Sequence, residues 1–129
     1  MRFTLTTLCK TAFANSTAHG FWDEYWDMID GLESNDWNGS AAFIPKYTID
    51  VKLSKIALMH SELGEMTEGV RKPCGDQHCT MFTSEEIELA DVLIRAFDYA
   101  GAFGLRLAGA VLAKMEYNAS RPYKHGKGA

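Results

Sequence analysis

Two pairs of carboxylates stand at matching spacing in this 129-residue chain, Glu62 with Glu65 and Glu88 with Asp91. Residues three apart share one face of a helix, so each pair would present two carboxylates side by side. Two antiparallel helices facing one another would then gather all four. Carboxylates crowded within a few ångström cannot all stay ionised without a counter-charge, because each pushes up the pKa of the others. A divalent cation is the natural counter-charge. All-oxygen ligation selects a hard ion, magnesium first with manganese as a substitute, and makes zinc a poor choice. A di-iron centre would call for Glu-x-x-His on the helices, and the chain has no such tetrad.

A plainer arrangement competes with the metal. Glu88, Asp91, Arg95 and Asp98 step by three, four and three along one line of a helix, and Arg95 can pair with Asp91 and Asp98 within it. That ladder still leaves Glu88 over.

The elements that must hold these groups are helical. Residues 3–18 form a first helix by the spacing of Leu5, Leu8 and Ala12, closed by His19-Gly20. Residues 20–47 carry Gly20, Gly31, Gly39 and Pro45 among all three tryptophans, and read as short helical turns and loops. Trp22, Trp26 and Trp37 either pack or form a stacking wall for a flat ligand. A second helix over about 48–72 puts Leu53, Ile56, His60, Leu63, Thr67 and Val70 on a core stripe, with Glu62 and Glu65 on the other flank. His60 on that stripe reads as a structural histidine.

After a loop over 73–82, Thr83-Ser84-Glu85-Glu86 is a capping box that opens a third helix running to Gly101 or Gly104. From Ile87 to Phe103 it is apolar almost all round, which predicts an interior position. A fourth helix ends near Asn118, before Arg121-Pro122. No segment between 48 and 118 alternates with a strand's period, so the chain is expected to be an all-α bundle of four main helices in one domain, completed by homo-oligomerisation.

Composition narrows the class. Hydrophobic residues make up 47% and charged residues 23%, with a net charge of −4, which argues against a nucleic-acid coat or a polybasic membrane binder. The charge is uneven: Lys114, Arg121, Lys124 and Lys127 against Glu116 give the last sixteen residues +3, leaving −7 on the body. Charges interrupt the longest apolar stretch, 87–115, so nothing is expected to span a bilayer. Cys9, Cys74 and Cys79 are too few for a disulfide framework and no apolar leader precedes them, so the reading is cytoplasmic. The N-x-S/T matches at Asn15, Asn38 and Asn118 are then chance. Cys74, His78 and Cys79 place three potential zinc ligands in six positions, but not at a standard finger spacing, and the loop reads as a flap near the site.

The words Glu62-Leu63-Gly64-Glu65 and Glu88-Leu89-Ala90-Asp91, twenty-two residues apart, resemble the paired E-x-x-E and E-x-x-D motif of the MazG-like, all-α nucleoside triphosphate pyrophosphohydrolases. The lead-in Ile56-Ala57-Leu58-Met59-His60-Ser61 and the segment Glu85 to Arg95 are similar to that family as well. So are Lys114, Tyr117-Asn118, Arg121-Pro122-Tyr123 and His125-Gly126-Lys127, which resemble the tail of its small single-domain members, phage-encoded forms included. Gly20-Phe21-Trp22-Asp23 resembles the segment after their first helix. The stretch 23–47 is longer than the family's usual link.

The resemblance implies magnesium-dependent hydrolysis of a nucleoside triphosphate, with deoxynucleotides expected, to the monophosphate and pyrophosphate. It makes Glu62, Glu65, Glu88 and Asp91 the metal ligands. A metal cluster there would neutralise phosphate charge and lower the pKa of an attacking water, and one carboxylate, for which Glu65 is the candidate, would take the water's proton. Lys114, Asn118 and Arg121, with Tyr123, Lys124 and His125 behind them, would contact phosphates and sugar. Trp22, with Trp26, Trp37 or His60 as lesser candidates, would contact the base. The expected assembly is a homodimer or homotetramer with no stable nucleic-acid partner. The alternatives are a pyrophosphohydrolase of an alarmone or of phosphoribosyl-ATP, and a nucleotide-binding bundle without catalysis.

Overall fold

The computed structural model describes residues 4–34 and 39–126, with the backbone alone at Ser40, His125 and Gly126. Trp37 and Lys127 lie outside the described residues. The described chain is all-helical: α1 (Leu5–Ala18), α2 (Asp23–Ser34), α3 (Ser40–Arg71), α4 (Ser84–Ala102) and α5 (Leu107–Ser120), then a 3-10 turn over Tyr123–Gly126.

Helix α1 begins where Thr4 caps it, the Thr4 hydroxyl accepting from the Thr7 N–H. Its end is made by His19, and Gly20 then takes φ +80°, a left-handed turn that a side chain would disfavour. That turn sends the chain back toward the helix it has just left.

The segment 20–47 departs from expectation. In place of short turns and loops it forms a twelve-residue helix, α2, and the start of α3 eight residues before position 48. Asp23 and Glu24 occupy the first turn of α2, where their charge complements the helix dipole. Pro45 is the reason the sequence suggests a later start for α3. It lies in the second turn, where its missing N–H removes one hydrogen bond near an end that already leaves donors unmatched. Thirty-two residues of helix absorb that loss.

The capping box of α4 forms as the sequence predicts: Thr83 Oγ1 accepts from the Glu86 N–H, and Glu86 Oε2 accepts from the Thr83 N–H at 2.8 Å. The preceding loop is tied to this end. Gly75 bridges to Thr83, the Asp76 N–H donates to the Phe82 carbonyl, and the Ser84 N–H donates to the Cys74 carbonyl.

Helix α4 is the centre of the molecule, packed extensively against α3 on one side and α1 on the other, while α2 leans on α3 and α5 touches α1. Helices α3 and α4 run antiparallel, since Gly69 lies against Ser84 while Glu62 meets Arg95 two turns back. The same register sets Glu65 opposite Glu88 and Glu62 opposite Asp91. Helices α1 and α4 cross closely at Gly101, where a Cβ would sit 2.7 Å from the Cys9 carbonyl oxygen and from the Phe13 Cβ. Only hydrogen fits there.

Burial reverses two readings from the sequence. The apolar stripe of α3 does not face the core of this chain: Leu53 is 59% exposed, and Ile56, Leu63 and Val70 are exposed too. His60 is exposed with them and is not a core histidine. The flank with Glu62 turns inward instead, and Glu62 is buried at 8%. Helix α4 likewise leaves Leu89, Leu93 and Ile94 exposed rather than lying wholly inside. The physical reason is the register above, which spends the inner faces of α3 and α4 on the polar residues and leaves their aliphatic rows outside. Among the described residues, the buried apolar set is Cys9, Trp22, Ile29 and Ala100.

Candidate active site

The aromatic cluster builds one wall of the site, where Phe21 and Trp22 line its cavity. Trp22 is fully buried at 0% exposure, edge-on to Phe13, Tyr25 and Phe103 with centroids 6.0, 6.1 and 5.5 Å away. Such edge-to-face contacts suit the ring quadrupoles. Its indole N–H donates to Asp98 Oδ1 at 2.9 Å. The ring packs in this chain with its exposure closed off, although it also borders the cavity. Trp26 is half-buried against Trp22 and Tyr25, and packs likewise.

Across the α3–α4 interface the carboxylates converge. Glu62, Glu65 and Glu88 each place an oxygen so that all three lie within 4.8 Å of one another. Glu62 is buried, Glu88 half-buried and Glu65 exposed, so the group opens toward solvent on the Glu65 side. Asp91 stands one turn along α4 from Glu88, outside the trio. Burial, and then the charges of Glu65, Asp91, Glu62 and Asp76, hold the Glu88 carboxyl above its usual range. Asp91 is raised as well, by burial first and the Glu62 charge next, with Arg95 offsetting part of it.

The intrahelical ladder does not form. Arg95 instead reaches across to α3, its Nε donating to Glu62 Oε1 at 2.6 Å, while Asp98 is taken by Trp22. Arg95 thus supplies one positive charge to the cluster and leaves Glu88 unmatched. Glu88 Oε2 is buried and makes no hydrogen bond. An orphaned oxygen is costly where carboxylates already crowd, and it is what a cation-binding group presents before its cation arrives. The donor set is all oxygen and acidic, so these residues fit a hard divalent ion.

A cavity of about 630 Å³ opens beside the cluster, between α1, α3 and α4. Glu62, Asp91, Arg95, Asp98 and Lys55 line it, with Leu58, Ile94 and Phe97 as apolar wall and Asn15, Ser16 and His19 from α1. His19 Nδ1 lies 2.7 Å from the Asn15 carbonyl oxygen, which can only accept, so Nδ1 carries a proton and Nε2 is the acceptor of the neutral ring. Lys55 was not singled out by sequence reasoning. Its signal was present, since it precedes Glu62 by seven residues and so shares its face of α3.

No protein-family model, curated protein or solved structure matches this chain.

The tail residues stand apart. Lys114 and Asn118 are exposed on α5 and Arg121 caps its end. Lys114 Nζ and the Arg121 guanidinium lie over the Tyr117 ring at 4.8 and 5.6 Å, and Lys124 Nζ lies 5.7 Å from Tyr123. None of Lys114, Asn118, Arg121, Tyr123 and Lys124 lines the cavity of its own chain. The side chain of His125 lies outside the described residues.

The 73–82 loop makes no metal site among the described residues, because Cys74, His78 and Cys79 do not converge. Its organiser is Asp76, whose Oδ1 accepts from the N–H groups of His78 and Cys79 at 2.8 and 2.6 Å. Those bonds hold the Asp76 carboxyl below its usual range. All three cysteines are free thiols. Among the described residues no helix is long and apolar enough to cross a membrane.

Proposed function

We propose that this chain is a magnesium-dependent nucleoside triphosphate pyrophosphohydrolase that cleaves (d)NTP to (d)NMP and pyrophosphate, belonging with the MazG-like enzymes its motifs resemble. The observation that carries this reading is the meeting of Glu62, Glu65 and Glu88 from two helices within 4.8 Å, with a buried Glu88 oxygen left unmatched and Glu62 lining a cavity of about 630 Å³. That volume lies within the range of roughly 300–1,000 Å³ typical of small-molecule sites.

Glu62, Glu65, Glu88 and Asp91 would hold magnesium, or manganese in its place. Bound there, the ion would supply charge neutralisation of the phosphates and a water of lowered pKa. The chain's own groups have separable tasks. Glu62 is held in place by Arg95. Glu65 is the exposed member, free to turn toward a water and accept its proton. The apolar wall of Leu58, Ile94 and Phe97 offers a surface to the nucleoside.

The working unit in this reading is a homodimer or homotetramer in the cytoplasm. The accessible surface of the chain is 9750 Å², about 3,000 Å² more than a monomer of its mass usually keeps. An obligate interface buries about 2,000–5,000 Å² in total, about 1,000–2,500 Å² from each chain, and so takes up much of that excess. The exposed rows of α3, α4 and α5 are the surfaces it would cover. Lys114, Asn118, Arg121, Tyr123, Lys124 and His125 then act on phosphates and sugar in the cavity of a second copy.

Pyrophosphate release measured with each of the eight common NTPs and dNTPs in Mg²⁺ tests the activity. Turnover with at least one nucleotide, abolished in Glu88→Gln and Asp91→Asn, is the expected result. Failure of the wild-type chain to release pyrophosphate from any of them would sink the enzyme reading.

A further inference from the structure

The cavity holds a second cation that the proposed chemistry has not used. Lys55 Nζ donates to the Phe21 carbonyl oxygen at 3.0 Å and stands 4.1 Å over the Trp22 ring. The lysine is half-buried, and among the described residues no carboxylate lies within ion-pair distance of it. A carbonyl and a π face satisfy only part of an ammonium, which carries three donors. Burial depresses its pKa, with Asp98 opposing and Arg95 adding to the shift. A half-desolvated cation of this kind gains most from an anion arriving in the cavity it lines.

The holder of Lys55 is built from the segment singled out after the first helix. Gly20, in its left-handed turn, points the Phe21 carbonyl and the Trp22 ring at α3. Asp98 in turn fixes the indole through its N–H. One turn of α4 back from Asp98, Arg95 spends Nε on Glu62 and also lines the cavity. Two cations from different helices thus border one space, with Glu62 of the carboxylate trio on the same wall. Without a metal the cavity walls are net negative, since Glu62, Asp91 and Asp98 outnumber Lys55 and Arg95. An anion is therefore expected to enter together with the divalent ion.

We propose that Lys55 is the polyphosphate-binding cation of this cavity, contributed by the same chain that supplies the carboxylates, and that Trp22 is a positioning residue that holds the ammonium toward the anion. The inference rests on the pyrophosphohydrolase reading for its substrate, but the anion site can be tested without turnover. The ligand class is a metal-complexed polyphosphate chain, whatever base it carries.

Calorimetric titration of the full-length chain with inorganic tripolyphosphate in Mg²⁺ is the direct experiment. Lys55→Met and, in case that variant misfolds, Lys55→Gln should each bind on the order of tenfold more weakly or worse, the loss of one charge-assisted contact. Lys55→Arg should stay within about threefold of wild type, and Mg²⁺ titrated alone should bind all of them alike. With a nucleotide that the wild-type chain hydrolyses, Lys55→Met should raise KM more than it lowers kcat. Wild-type tripolyphosphate affinity in the folded Met or Gln variant overturns the proposal, and so does an equal loss of affinity for Mg²⁺ alone, which would mark Lys55 as structural. Tripolyphosphate binding that depends on Lys55 in a chain that hydrolyses no nucleotide would uphold the anion site while the enzymatic reading fell.

Discussion

Arg95 Nε donates to Glu62 Oε1 at 2.6 Å across the α3–α4 interface, and among the described residues this is the ion pair that brings a positive charge to the carboxylate cluster. Glu62 is nearly enclosed while Arg95 keeps 39% of its side chain exposed. The bond therefore combines a desolvated acceptor with a partly screened donor.

Removing that donor should expose the cost of the cluster. Arg95→Met leaves Glu62 buried beside Glu65 and Glu88 with no counter-charge, and should destabilise the metal-free chain by about 1–3 kcal/mol, below the figure for a fully buried pair because Arg95 is partly solvated. Millimolar Mg²⁺ should return more of that stability to the variant than it adds to wild type. Urea unfolding with and without the ion measures both, and equal effects of Mg²⁺ on the two chains would count against the cluster as a cation site.

The pH response of the metal-free chain has a definite sign. Glu88 and Asp91 have raised carboxyl pKa values, by burial first and by neighbouring carboxylates second. The folded chain therefore holds more protons than the unfolded one between the ordinary carboxylate value and the raised ones. Stability should rise as pH falls into that window and be lost as pH climbs through the raised values. Mg²⁺ competes with those protons, so it should stabilise more at about pH 8 than at about pH 5.5. Thermal melts in chelator and in Mg²⁺ at the two pH values give the comparison, and a metal effect larger at the acidic value would contradict it.

Gly101 should tolerate nothing larger. An added Cβ meets the Cys9 carbonyl oxygen and the Phe13 Cβ at 2.7 Å, and the backbone oxygen cannot swing aside. Alanine gains about 1 kcal/mol in helix propensity, but forcing α1 off α4 costs more, and Gly101→Ala should lose about 1–3 kcal/mol net. Gly109→Ala is the control, because nothing lies within 4 Å of its Cβ position and propensity alone should act. Denaturant midpoints of the two variants should move in opposite directions.

Local chemistry was legible along the chain. The Thr83–Glu86 capping box, the end of α1 at His19, the end of α3 before Pro73 and the all-helical class follow from short-range patterns, because caps and helix periodicity act within a few residues. The convergence of Glu62, Glu65 and Glu88 was foreseeable as soon as α3 and α4 were taken as antiparallel neighbours, since spacing within each helix already aligned them.

Tertiary structure decided the rest, through contacts that spacing does not carry. Leu53, Ile56 and Val70 have helical periodicity, but periodicity names a face and not the partner it meets, and here the face with Glu62 and Lys55 meets α4. Trp22 could equally have stacked a ligand or packed; Phe13, Phe103 and Asp98, brought from both ends of the chain, enclose it. Arg95 could reach Asp91 and Asp98 on its own helix, yet it bonds Glu62, which the packing of α3 against α4 buries within its reach. The sequence by itself determined the helices and which side chains could act together, whereas only their packing determined which of those side chains turn inward and which one, Lys55, stands beside them.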